Sequence, residues 1–78
     1  MLLEIVSPDK KIFKGEVELI QLPGITGSFE LLNNHAPLVS VLKKGKIKTE
    51  NKEKKIEFFE INGGVVEIKN NKIIVLAE

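Results

Sequence analysis

The residue with the widest chemical range in this 78-residue chain is its single histidine, His35. An imidazole moves protons near neutral pH, but catalysis needs a nucleophile or an orienting carboxylate beside it. His35 sits in Asn33-Asn34-His35-Ala36-Pro37-Leu38, where no Ser, Cys or Asp forms a recognisable partner motif. The setting reads as a turn running into a strand, so His35 is expected to bond within a loop or to face a protein partner. No catalytic residue is assigned. Cysteine is absent, which removes disulfides, thiolate nucleophiles and Cys-based zinc sites, and one His cannot build a multi-His metal centre. No metal or cofactor is expected. Gly24 and Gly27 in Pro23-Gly24-Ile25-Thr26-Gly27 are too sparse to cradle a phosphate, and no helix follows them, so they read as turn chemistry. Lys52, at an expected hairpin tip, resembles the position of the modified lysine in biotin or lipoate carriers, but its neighbours Asn51 and Glu53 are not those of a carrier motif.

Charge narrows the partners. Twelve Lys and no Arg stand against eleven acids, for a net charge of +1. That near-balance argues against a nucleic-acid binder, whose affinity rests on a basic surface. The four Phe come without Tyr or Trp, too few for a base-stacking platform. Seven lysines from Lys43 to Lys55 could touch acidic surfaces or lipid head groups. The plainer reading is a solvated hairpin whose lysines discourage edge-to-edge pairing. No stretch approaches the roughly 20 apolar residues of a membrane-spanning helix, and the N-terminus lacks the basic start of a secretory signal.

The elements that must position these residues are strands. Turn signals recur at Ser7-Pro8-Asp9, Pro23-Gly24, Asn33-Asn34, Lys44-Gly45, Asn51-Lys52, Asn62-Gly63-Gly64 and Asn70-Asn71. That spacing marks an all-β sandwich or barrel, and no stretch keeps helical spacing beyond one or two turns. Ile47 and Thr49 alternate with Lys46, Lys48 and Glu50, a strand with one wet face. The apolar phase flips at Leu19–Ile20 and again at Phe58–Phe59, which predicts a bulge or a change of sheet at each. Ile73 to Leu76 is continuously apolar, which predicts burial on both faces. Leu38 to Leu42 favours a strand over a short helix, Asn62-Gly63 signals a hairpin, and Asn51-Lys52-Glu53 signals another.

Taken along its whole length, the sequence resembles the N-terminal domain of the epsilon subunit of bacterial F-type ATP synthases. Leu3-Glu4-Ile5-Val6-Ser7-Pro8-Asp9 is similar to that family's opening strand and turn, and Phe13-Lys14-Gly15-Glu16-Val17 to its second segment. Leu22-Pro23-Gly24-Ile25-Thr26-Gly27-Ser28-Phe29 resembles its Pro-Gly stretch, and His35-Ala36-Pro37-Leu38 matches its most specific block. Leu42 to Ile47, Gly63 to Ile68 and Ile73 to Ala77 follow in the family's order and spacing.

The resemblance implies a flattened ten-stranded β-sandwich or barrel, a single domain over residues 1–78. It implies a non-catalytic rotor subunit at the foot of the central stalk, bound to the gamma subunit and the membrane c-ring, coupling ion flow to ATP synthesis. Its place would be the cytoplasmic face of the bacterial inner membrane, touching the membrane only through the c-ring. Carried over by position, Ser28, Phe29, Glu30 and Leu31 would face the rotor, and His35, Ala36, Pro37 and Leu38 would lie near gamma or the ring. Two departures stand out: Asn34 precedes His35 where the family has Gly, and Glu30 follows Phe29 where the family has Gly. Most members continue past the last strand into a two-helix hairpin; a chain stopping at Glu78 is expected to couple the rotor without an inhibitory arm and without that arm's ATP binding.

Overall fold

The structure, a computed structural model, describes residues 1–78. Its strands are β1 (Leu2–Val6), β2 (Lys11–Glu16), β3 (Leu19–Gly24), β4 (Gly27–Leu32), β5 (Leu38–Leu42), β6 (Gly45–Glu50), β7 (Ile56–Ile61), β8 (Gly64–Lys69) and β9 (Lys72–Ala77). There is no helix. Nine strands form where the resemblance implies ten. The β4–β5 connection, residues 33–37, holds Asn34 at φ 64° and ends in Pro37, which has no N–H to donate, so it cannot extend the ladder.

The strands pair in the order β2-β1-β9-β8-β5-β3-β6-β7, with β4 on the other side of β3. Pairing between β5 and β3 is reduced to one register position, Gly24 opposite Leu42. The sheet therefore folds over there into two layers. A terminal layer runs β2-β1-β9-β8-β5, and a hairpin layer runs β4-β3-β6-β7. On the opposite side the rings of Phe13 on β2 and Phe59 on β7 close the gap, with centroids 5.1 Å apart and tilted by 51°. Tilted aromatic pairs of this kind add to the ordinary gain from burial.

Alternation supplies the core from both layers. Leu3, Ile5, Val66, Ile68, Ile73 and Val75 point inward from the terminal layer, and Ile20, Leu22, Leu31 and Ile47 from the hairpin layer; all are essentially inaccessible. The change of phase near Leu19 is explained by a corner. At Val17-Glu18 the chain leaves the terminal layer, Val17 N–H donating to the Met1 carbonyl and Glu18 N–H to the Glu50 carbonyl. At Phe58–Phe59 there is no irregularity: β7 pairs in unbroken register with β6 from Ile56 to Ile61. Phe59 packs on the core, and Phe58 is simply an outward residue, 60% exposed.

The turns divide along the same lines. Asn70 and Asn71, at φ 53° and 59°, form a tight two-residue turn whose twist suits the β8–β9 hairpin. The β6–β7 hairpin closes with Lys54 at φ 69°, while Asn51 Oδ1 accepts from the N–H groups of Glu53 and Lys55. Asn62-Gly63, by contrast, closes no hairpin. β7 does not pair with β8; the two lie in opposite layers, and Asn62-Gly63 is the crossing between them. Gly63 and Gly64 take φ 132° and 151°, an extended left-handed path open to glycine and unlike that of a tight reverse turn.

Candidate partner-binding surfaces

The expected contact residues fall in two separate places. β4 is an edge strand, and Ser28 and Glu30 point outward from it, opposite Pro23 and Gln21. Phe29 turns inward and is half-buried against the core. Its ring lies where a side chain on Gly24 would be, 2.9 Å from the position a Cβ would take, so Gly24 makes room for it. Leu31 is 1% exposed. Its expected rotor-facing role is corrected here: with alternation set by Phe29 and Leu31 facing inward, its side chain is core. The β4–β5 loop lies at the far end of β4 from Ser28. His35, Ala36 and Pro37 are exposed there, and Leu38 is half-buried, packed on the core opposite Ile68. His35 Nδ1 lies 2.8 Å from the Ala36 carbonyl oxygen, an arrangement local to the loop.

Two contacts hold that loop in place. Asn34 N–H donates to Asn71 Oδ1 at 2.8 Å, tying the loop to the β8–β9 turn. The α-ammonium group of Met1 donates to Asn33 Oδ1 at 2.6 Å and to the Val17 carbonyl at 3.0 Å, with Glu16 3.5 Å away. That ammonium is buried, so loss of an acceptor is felt. Asn33→Ala is expected to lower stability by about 1–2 kcal/mol, read as a lower urea midpoint at unchanged slope.

The lysine-rich stretch does not make one patch. Lys43 and Lys44 form a crossing from the terminal to the hairpin layer, where Lys43 N–H donates to the Pro23 carbonyl. Lys52, Lys54 and Lys55 lie at the opposite end, in the β6–β7 turn, and Lys54 reaches Glu50 at 3.8 Å. The charges are spread along the molecule's length.

An exposed apolar surface lies outside the expected contact residues. On the outer face of the terminal layer, Val41 lies opposite Val65, Val65 opposite Leu76, and Leu76 opposite Val6. Neighbouring strands in a sheet are about 4.8 Å apart, so the four side chains form a continuous row. Val41 and Leu76 are 52% and 56% exposed. Val39, 66% exposed, stands beside the row, as does half-buried Ile74. Ile25, exposed at the β3–β4 turn, adjoins it, its N–H donating to the Val41 carbonyl at 3.2 Å. The expectation that Ile73–Leu76 is buried on both faces therefore fails for the outward half: Ile73 and Val75 are core, while Leu76 is bare. The exposed apolar positions are confined to one end of the face; towards the other end Glu4, Glu67, Lys69 and Lys72 supply the polar alternates of a wetted surface.

The whole chain, residues 1–78, matches the family described as the beta-sandwich domain of the ATP synthase delta/epsilon chain. It is 42% identical over 76 residues to an ATP synthase epsilon chain of Chlorobium limicola, covering 97% of this chain and 86% of that one. It is 45% identical over 76 residues to the epsilon chain of Campylobacter concisus, of which it spans 59%. Two solved structures share the fold. One is a chain of the Euglena gracilis mitochondrial ATP synthase, in an assembly of OSCP, F1 and c-ring, with a TM-score of 0.90 at 23% identity over 96% of this chain and 48% of that one. The other belongs to the central stalk and c-ring of the Tetrahymena thermophila mitochondrial ATP synthase, with a TM-score of 0.80 at 19% identity over 97% and 61% of the two chains. From the opening strand to Ala77, the chain belongs to the delta/epsilon family of ATP synthase subunits, in its beta-sandwich domain.

Proposed function

We propose that this chain is a non-catalytic rotor subunit that joins the gamma subunit to the c-ring, so that the two turn together and ion flow is coupled to ATP synthesis. The observation that carries this reading is the apolar row Val41–Val65–Leu76–Val6, exposed at Val41, Val65 and Leu76, with exposed Val39 and Ile25 beside it. A contiguous apolar patch on a small domain marks a surface meant to be covered by another protein. The names of the relatives, and of the stalk and c-ring assemblies that hold the two structural neighbours, support the choice of partner. In this reading the apolar row bears on gamma. The exposed loop His35–Pro37, with Ser28 and Glu30, is left for gamma and the polar loops of the ring. The chain would then sit at the cytoplasmic face of a bacterial inner membrane, held there by the ring.

The test is size-exclusion chromatography of the folded chain with purified gamma subunit from the same organism, then with a gamma–c-ring complex. A stable one-to-one complex with gamma is expected. A folded chain that joins neither gamma nor the gamma–c-ring complex overturns the reading.

A further inference from the structure

The corner at Asn62-Gly63 has a chemical property that its place in the fold leaves intact. The chain has six Asn, at positions 33, 34, 51, 62, 70 and 71, and only Asn62 precedes a glycine. Three of the others are engaged through Oδ1: Asn33 by the Met1 ammonium, Asn51 by two backbone N–H groups, and Asn71 by the Asn34 N–H. Asn34 and Asn70 are followed by residues that carry a Cβ. Asn62 is exposed, and its side chain makes no hydrogen bond. The Gly63 N–H also has no acceptor, although the Gly63 carbonyl accepts from Glu78 N–H at 3.0 Å. In a paired hairpin the N–H groups of the flanking strands are tied into the ladder, whereas at this crossing the nitrogen is free.

We propose that Asn62 is a site of spontaneous deamidation. The Gly63 backbone nitrogen, having lost its proton, attacks the carbonyl carbon (Cγ) of the Asn62 side chain. A bond forms between that nitrogen and Cγ, the bond from Cγ to the amide nitrogen Nδ2 breaks, and ammonia leaves. Water then adds to either carbonyl of the resulting five-membered imide, giving aspartate or isoaspartate. Glycine permits the ring because it adds no Cβ and tolerates the required backbone angles. The product adds a carboxylate close to Glu60 and Glu78. In the isoaspartate form it also adds a backbone carbon to a crossing with no slack, since a Cβ on Gly64 would lie 2.2 Å from the Leu76 carbonyl oxygen.

The experiment incubates the folded chain at pH 7 and pH 9 and follows the tryptic peptide Ile56–Lys69 by mass spectrometry. A gain of about 1 Da, from replacement of NH2 by OH, is expected in that peptide. It should resolve into two chromatographic forms, accumulate faster at the higher pH, and be absent in Asn62→Gln. The native rate should be of the same order as that of the urea-unfolded chain. The proposal is overturned if Ile56–Lys69 gains mass no faster than Gly15–Lys43, which carries Asn33 and Asn34. It is also overturned if the rate ignores pH, or if folding suppresses the reaction far below its unfolded rate.

Discussion

Gly64→Ala is expected to leave the chain largely unfolded in water at room temperature. Gly64 opens β8 at φ 151°, a conformation that L side chains rarely adopt. Holding a non-glycine residue there costs about 1–3 kcal/mol. Space is worse than conformation. A Cβ would sit 2.2 Å from the Leu76 carbonyl oxygen and 3.1 Å from the Ala77 Cα, both backbone atoms of β9. No rotamer change relieves this; β9 itself must shift. β9 lies between β8 and β1, so its displacement disturbs two ladders and the inward side chains of Ile73 and Val75. The combined loss is at least about 4 kcal/mol, in the range reached only by core or backbone disruption. A domain of this size holds only about 3–5 kcal/mol in reserve. Circular dichroism during urea titration tests the point, with Gly27→Ala as the control. Gly27 also has a positive φ, 141°, but a Cβ there would meet nothing within 4 Å. Its loss should be the conformational cost alone, about 1–3 kcal/mol, with a cooperative transition retained. A Gly64→Ala protein that unfolds at the wild-type midpoint would show that the crossing is not wedged against β9.

That contrast bears on how much of the molecule could be read from its residues. Alternation revealed β6, because a half-buried strand writes its period into the sequence; the unbroken apolar run of β9 showed a strand but not which of its residues face inward. The Asn70-Asn71 turn was equally legible, since two adjacent residues able to take positive φ specify one kind of connection. Asn62-Gly63 carries the same local signal and does something different. What separates them is tertiary: the strand after Asn62-Gly63 finds its partners, β5 and β9, in the other layer. Local turn chemistry cannot encode that choice. The candidate contacts divide similarly. The exposed His35–Pro37 loop followed from its turn residues, whereas Leu31, chosen by family position alone, proves to be core. The exposure of Leu76 is not legible in Ile73–Leu76, because a strand covered on both faces by its own fold and one covered by a partner have the same composition.

Single charged substitutions in that row should therefore separate folding from assembly. Val41→Lys and Leu76→Lys are each expected to weaken binding to the gamma subunit by about 30-fold or more, the loss of about 2 kcal/mol that follows disruption of a buried contact centre. Both side chains already face solvent in the isolated protein, so stability should move by no more than about 0.5 kcal/mol. The comparison is Phe58→Lys. Phe58 is as exposed as Leu76 but stands on the outer face of the hairpin layer, opposite Lys48. It faces Lys48 across the strand pair, with Glu60 and exposed Ile56 beside it on β7, whereas Leu76 has apolar neighbours on both adjoining strands. Phe58→Lys should leave gamma binding within about threefold of wild type, as expected outside the central contacts. Isothermal titration of the three variants against gamma, each first checked by urea unfolding, decides the matter. Loss confined to Phe58→Lys would move the interface to the hairpin layer. Unchanged binding in all three would mean that neither outer face holds gamma, and would leave the apolar row for another protein.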